Sequence, residues 1–136
     1  MRYPITLAAA LLFVASAHAQ HRVECPAHPP GDLGAPAGAP LEQVAVLSEK
    51  DGVAIDDKAP PSLVPDRGFA RGGTWHNVWI LQPEPGWSFY IDCQYRGATR
   101  VHRLPAKAVR QCEQTATPYT QRGGVAATAT HTLSCD

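Results

Sequence analysis

The chain has 136 residues, with twelve Lys and Arg against twelve Asp and Glu, 44% hydrophobic residues, four cysteines, thirteen prolines and eleven glycines. That length allows one domain, and the apolar fraction is enough for a core, which excludes a wholly disordered chain. A formal net charge of zero excludes a nucleic-acid binder of the generally basic kind, so no nucleic acid is expected among its partners.

The first segment reads as an export signal. Arg2 supplies a positive n-region, Ile5 to Ala15 an apolar run, and Ala17-His18-Ala19 the small-x-small pattern of a cleavage site before Gln20. The apolar run is shorter than the roughly 20 residues that a spanning helix needs. Gln20, rather than a cysteine, at the cleavage point argues against a lipoprotein. Residues 1–19 are therefore expected to be a signal peptide, leaving a single domain at 20–136 with no transmembrane segment, in the periplasm or the medium. Cys25, Cys93, Cys112 and Cys135 all lie in that domain, and an even count in an exported chain reads as two disulfides. There is no C-x-x-C, and the nearest two, Cys93 and Cys112, stand nineteen residues apart, so a cysteine-based zinc site is not expected.

Residues 26–40 hold five prolines and three glycines, which excludes a helix and removes strand donors; an extended surface connector is expected. Leu41 to Ser48 follows, with Val44 and Val46 alternating as in a half-buried strand. Val53 to Gly73 reads as irregular, with Leu63 and Val64 as anchors to the core. Thr74 to Leu81 is rich in strand formers, and Trp75 and Trp79 share a face by parity. Pro83 to Gly86 signals a turn. Trp87 to Tyr95 is the clearest strand, with Phe89, Ile91, Cys93 and Tyr95 on one face and Ser88, Asp92 and Gln94 on the other, where only Tyr90 breaks the polar set. Arg96-Gly97-Ala98 turns the chain into Thr99 to Leu104, and Pro105 suits the first turn of a short helix over Ala106 to Arg110.

Gly123-Gly124 is a favourable two-residue hairpin loop. Centred there, facing residue numbers add to 247, which sets Cys112 opposite Cys135 and leaves Cys25 to pair with Cys93. The sequence allows three connectivities, and this hairpin register favours that one. The expected fold is mostly β: a small antiparallel sheet or sandwich of about six or seven strands with one short helix, braced by disulfides.

No catalytic, cofactor-binding or metal residues are assigned. His21, His28, His76, His102 and His131 form no pair at i, i+2 or i, i+4, and scattered surface or satisfied histidines explain them better than a metal site. There is no G-x-S-x-G, Ser62, Ser88 and Ser134 have no suggestive context, and Asp56-Asp57 beside Lys58 reads as a solvated loop rather than a glycosidase pair. Charge is unevenly spread. Arg22 to Asp66 carries eight acids and three bases, and Arg67 to the end carries eight bases and four acids. Within the basic half, Arg96, Arg100, Arg103, Lys107 and Arg110 follow one another without an intervening acid. Together with the out-of-phase Tyr90 they make the candidate binding surface, suited to an acidic protein loop or an anionic envelope polymer. The competing account, that the basic half neutralises the acidic half within the fold, carries more weight.

Cys25-Pro26, Val64-Pro65-Asp66, the tryptophan strand around Trp75 to Trp79, the run Tyr90, Cys93, Tyr95, Gly97, and Leu104-Pro105 leading to Cys112 span most of the exported part. In these motifs the chain resembles a family of short, exported, uncharacterised disulfide-containing proteins of Gram-negative bacteria. The resemblance implies export and a disulfide-tied fold, and it transfers no functional residue. The expected function is that of a non-enzymatic binding protein, of inhibitor or immunity type, acting on another protein in the periplasm or envelope. A structural or ligand-binding envelope component is the alternative, and a hydrolase stands third. The inhibitor reading calls for an exposed loop carrying charge or an aromatic, with Asp51 to Arg71 and Pro83 to Gly86 as the places to look.

Overall fold

The computed structural model describes residues 21–136; the expected signal peptide, residues 1–19, lies outside the described residues. The strands are β1 (Val23–Glu24), β2 (Leu41–Lys50), β3 (Arg67–Arg71), β4 (Thr74–Ile80), β5 (Trp87–Tyr95), β6 (His102–Pro105), β7 (Gln111–Thr120) and β8 (Gly124–Cys135). They form two antiparallel sheets, one of five strands in the order β1-β8-β7-β4-β3 and one of three in the order β2-β5-β6. Among the described residues no helix long and apolar enough to cross a membrane is present.

The fold is mostly β and disulfide-braced, as the alternation and the cysteine count predict. Period-2 alternation puts Phe89, Ile91, Cys93 and Tyr95 of β5 and Val44 and Val46 of β2 toward the core, where they meet Trp79 of β4, Cys112 of β7 and Leu133 and Cys135 of β8. Ile91, Cys93, Tyr95, Val46, Cys112 and Cys135 have no exposed surface at all. Both disulfides enter this cluster. Cys112–Cys135 crosses the paired strands β7 and β8, with Cα atoms 4.0 Å apart, and Cys25–Cys93 joins the edge of the larger sheet, just after β1, to the centre of the smaller one.

The expected helix at Ala106 to Arg110 is absent. Pro105 instead pairs with Tyr90 at the end of β6, and the Ala106 N–H donates to the Phe89 carbonyl at 2.9 Å. The Arg110 N–H donates to the Asp136 carbonyl, so the amides a helix would use are taken by distant strands. Lys107 and Ala108 form a turn, while Ala106 and Val109 fill the core.

The C-terminal hairpin keeps the predicted register only at its open end. From Cys112↔Cys135 to Thr117↔Thr130 facing numbers add to 247, but nearer the turn Thr120 faces Gly124, so the loop is Gln121-Arg122-Gly123. The difference is absorbed where Ala126 to Ala129 stand against the single residue Pro118. The glycine pair that does form a two-residue loop is Gly72-Gly73, both at positive φ (55° and 75°), between Arg71 and Thr74. It creates β3 inside a stretch that reads as irregular, because Arg-Gly-Phe-Ala-Arg has no apolar alternation. A Cβ at Gly68 would lie 2.9 Å from the Trp75 ring, so glycine there leaves room for the indole of the neighbouring strand.

The connector at 26–40 is draped over one end and held by few bonds. Tyr95 Oη donates to the Pro26 carbonyl at 2.7 Å, and the Thr99 and Arg100 amides donate to the Leu33 carbonyl. Ala39 is buried, with Leu33 and Ala35 packed on the core.

The two disulfides close chain segments of 68 and 23 residues. Loop entropy therefore predicts a larger loss, about 4 kcal/mol, for Cys25→Ala/Cys93→Ala than for Cys112→Ala/Cys135→Ala, at about 3 kcal/mol. Urea unfolding of the oxidised variants measures both, and the reverse order would show that native packing, not closure, dominates.

Candidate functional site

Three arginines of the basic run are paired with acids, Arg96 and Arg100 with acids of the first half and Arg103 with Asp92 of its own half and Asp57 of the first. Arg96 Nε donates to Glu42 at 3.1 Å and its Nη2 to the Ala127 carbonyl. Arg100 Nη2 donates to the Asp32 carbonyl at 2.8 Å, with the Asp32 carboxylate at 3.9 Å. Arg103 is clamped hardest: Nε and Nη2 make a bidentate pair with Asp92 at 2.7 and 2.8 Å, and Nη1 donates to Asp57 at 2.8 Å. Among the described residues Lys107 and Arg110 make no ion pair. The six candidate residues therefore do not form one basic face. Arg100 and Arg103 border one cleft, Tyr90 and Lys107 a second pocket, Arg96 a third, and Arg110 none of the three.

The first cleft, about 510 Å³, lies on the outer face of the three-stranded sheet. Register explains its floor, since Ala45, Asp92 and Arg103 are side by side across β2, β5 and β6. Asp92 is only 7% exposed and is the single buried charged residue among those described. Its hydrogen bond pushes the Arg103 pKa up, against the effect of burial, and Asp57 adds to the rise. The guanidinium thus stays charged at any working pH.

The second pocket, about 270 Å³, is apolar and sits at the turn end of the same sheet, between Pro83, Trp87, Tyr90, Pro105, Lys107 and Val109. The two loops singled out above converge here. The Asp51 amide donates to the Gly86 carbonyl at 2.8 Å, and Ser88 Oγ bonds the Asp51 carboxylate. Trp87 is 44% exposed and Val53 54% exposed, whereas Trp79 is buried with its Nε1 on the Leu63 carbonyl. Trp75 shares the face of Trp79 but is half-buried and meets the Tyr119 ring at 5.1 Å, tilted by 40°. Parity puts Trp87 in phase with the core set; its place at the first residue of β5 puts it outside. The rest of the Asp51 to Arg71 loop folds back: Leu47 bridges Ser62, and Asp66 accepts from the Ile80 amide.

The third pocket contains His28 and His131 with Arg96. Among the described residues His131 Nδ1 is buried without a partner, and burial lowers its pKa below 6.5, with Glu42 opposing and Arg96 adding to the shift. Among the described residues no three of His, Cys, Asp and Glu gather as a metal site.

No protein-family model, curated protein or solved structure matches this chain. The site therefore rests on its own geometry. The sequence singled out Tyr90 and the basic run, which the structure spreads over three pockets with Arg110 outside them, and gave no preference to Trp87, Asp57, Asp92 or the cleft-lining Gln43 and Gln94. Pro83-Glu-Pro-Gly86 beside a tryptophan was the signal for the first. Nothing local marks the others, because cross-strand register brings them together.

Two predictions follow from these charges. Arg103→Met leaves the Asp92 carboxylate unpaired and should cost roughly 2–3 kcal/mol, while Asp57→Asn at a solvent-facing pair should cost under about 1 kcal/mol; chemical denaturation distinguishes them. A depressed histidine pKa means the unfolded chain binds the proton first, so the His131 contribution is present above 6.5 and is lost as pH falls through the lower folded value. His131→Gln should flatten that acid-side loss in thermal melts between neutral and mildly acid pH.

Proposed function

We propose that this chain is an exported, periplasmic or secreted, non-enzymatic binding protein of inhibitor or immunity type, which grips an envelope enzyme through the end carrying Trp87. The observation that carries the reading is an exposed tryptophan beside an apolar pocket, flanked by two converging loops and a cation, Lys107, without an ion-pair partner among the described residues. Exposed aromatics beside a pocket are the usual anchors of protein interfaces. The two disulfides support the same reading, since a braced scaffold loses little freedom on binding. They also suit an oxidising compartment, as do the signal-like first segment and the resemblance to short exported proteins of Gram-negative bacteria.

Lys107 beside an apolar pocket fits a partner segment that places an apolar side chain next to a carboxylate. The oxidised exported chain, immobilised and exposed to periplasmic extract of its source organism, should retain one envelope enzyme and reduce its activity. Trp87→Ala should weaken that capture by about 2 kcal/mol, roughly thirty-fold, while Arg110→Ala, away from the pocket, leaves it intact. Recovery of abundant proteins alone, equally by wild type and Trp87→Ala, would overturn the proposal.

A further inference from the structure

We propose that the cleft on the outer face of the three-stranded sheet binds a short, uncharged saccharide. The site is separate from the Trp87 pocket and does not depend on the reading given to it. Its volume of about 510 Å³ falls within the range of small-molecule sites, roughly 300–1,000 Å³.

The walls are fixed by main-chain bonds rather than by side chains alone. On one side Pro60 to Ser62 is attached along β2, where the Ser48 amide donates to the Pro61 carbonyl and the Leu63 amide to the Val46 carbonyl at 2.8 Å. On the other side Thr99 and Arg100 hang from the Leu33 carbonyl through both their amides. The cavity is therefore present before any ligand arrives, which keeps the ordering cost of binding low.

The floor has the donor and acceptor pattern of a polyol site. Gln43 and Gln94 face each other across β2 and β5, and among the described residues neither side-chain amide has a protein partner. Each offers a carbonyl oxygen and two N–H donors, which matches hydroxyl groups that both give and accept. Beside them the Asp92 carboxylate is held rigid by the Arg103 fork and keeps acceptor capacity for ligand hydroxyls. Pro60 and Val101 provide apolar surface for the C–H face of a sugar ring.

Charge decides between a neutral and an ionic ligand. The two carboxylates, Asp57 and Asp92, both bind Arg103, and Arg100 is directed to Asp32. The guanidinium that an anion would need is already occupied on three of its bonds. With Asp57 and Asp92 already paired with Arg103, a neutral hydroxylated ligand adds hydrogen bonds without disturbing these pairs. A nearly buried ion pair on the solvent side of a sheet contributes little net stability compared with an apolar pair of similar volume. Its position at the bottom of the cleft is accounted for by ligand recognition.

The test is an NMR titration of the oxidised exported chain with N,N′-diacetylchitobiose, cellobiose and lactose, and with sulfate as the anionic comparison. At least one disaccharide should shift the side-chain amide signals of Gln43 and Gln94 and the backbone signals of Thr99 to Val101, saturably and at millimolar concentration or below. Gln94→Ala, and separately Gln43→Ala, should weaken binding about fivefold, the effect of one lost hydrogen bond, and Trp87→Ala should leave it unchanged. The proposal fails if no disaccharide gives saturable shifts, if sulfate alone does so, or if the shifts centre on the Trp87 pocket and vanish in Trp87→Ala. It fails equally if both glutamine variants, still folded by their amide spectra, bind as the wild type does.

Discussion

Cys25 follows a two-residue edge strand of the larger sheet, and Cys93 lies in the middle strand of the smaller one, 68 residues later. Of the two disulfides, theirs is the one that joins the sheets. The smaller sheet packs Leu41, Val46, Ile91 and Tyr95 into the shared core, and the disulfide adds loop-closure entropy to that packing. Cys93 shares its face with Ile91 and Tyr95, neither with any exposed surface, so the bond also sets where β5 sits over Trp79 and Leu133. Cys112–Cys135 enters the same cluster from the other side. Tyr95, on the same face of β5 as Cys93, then reaches the Pro26 carbonyl and ties down the proline-rich connector.

Once the small sheet is fixed from within, its outer face is free to carry polar chemistry. That face holds Asp92 and Arg103 at the centre, amides along one side, and the aromatic pocket at the turn end. One strand, β5, serves all of these: odd positions from Phe89 to Tyr95 pack inward, while Tyr90, Asp92 and Gln94 border the two cavities. The candidate sites are therefore as rigid as the core beneath them.

The uneven distribution of charge along the chain has an intramolecular use. Acids of the first half, Asp32, Glu42 and Asp57, each hold an arginine of the second. At exposed positions such pairs add little stability. Their effect is to remove three arginines from the surface available to an anionic partner, leaving Lys107 and Arg110 as the members of that run without ion pairs among the described residues. Long-range attraction of acidic partners is weakened accordingly.

Much of the fold was legible because it rests on local patterns. Strict alternation bounded Trp87 to Tyr95 correctly, and the constant 247 gave the Cys112↔Cys135 register. Where local signals were weak or misleading, distant groups prevailed. A proline that suits a helix start became the last residue of β6 because Tyr90 and the Phe89 carbonyl engage it and its neighbour. The polar stretch Arg67–Arg71 became β3 because β4 offered an edge across Gly72-Gly73. The sequence by itself determined the β class, the main strands and two buried staples, since periodicity and turn chemistry act between near neighbours. Tertiary structure alone decided which charges cancel, which tryptophan stays outside and where the cavities lie. Those outcomes depend on residues such as Asp57 and Arg103, or Gln43 and Gln94, that only strand register and loop closure bring side by side.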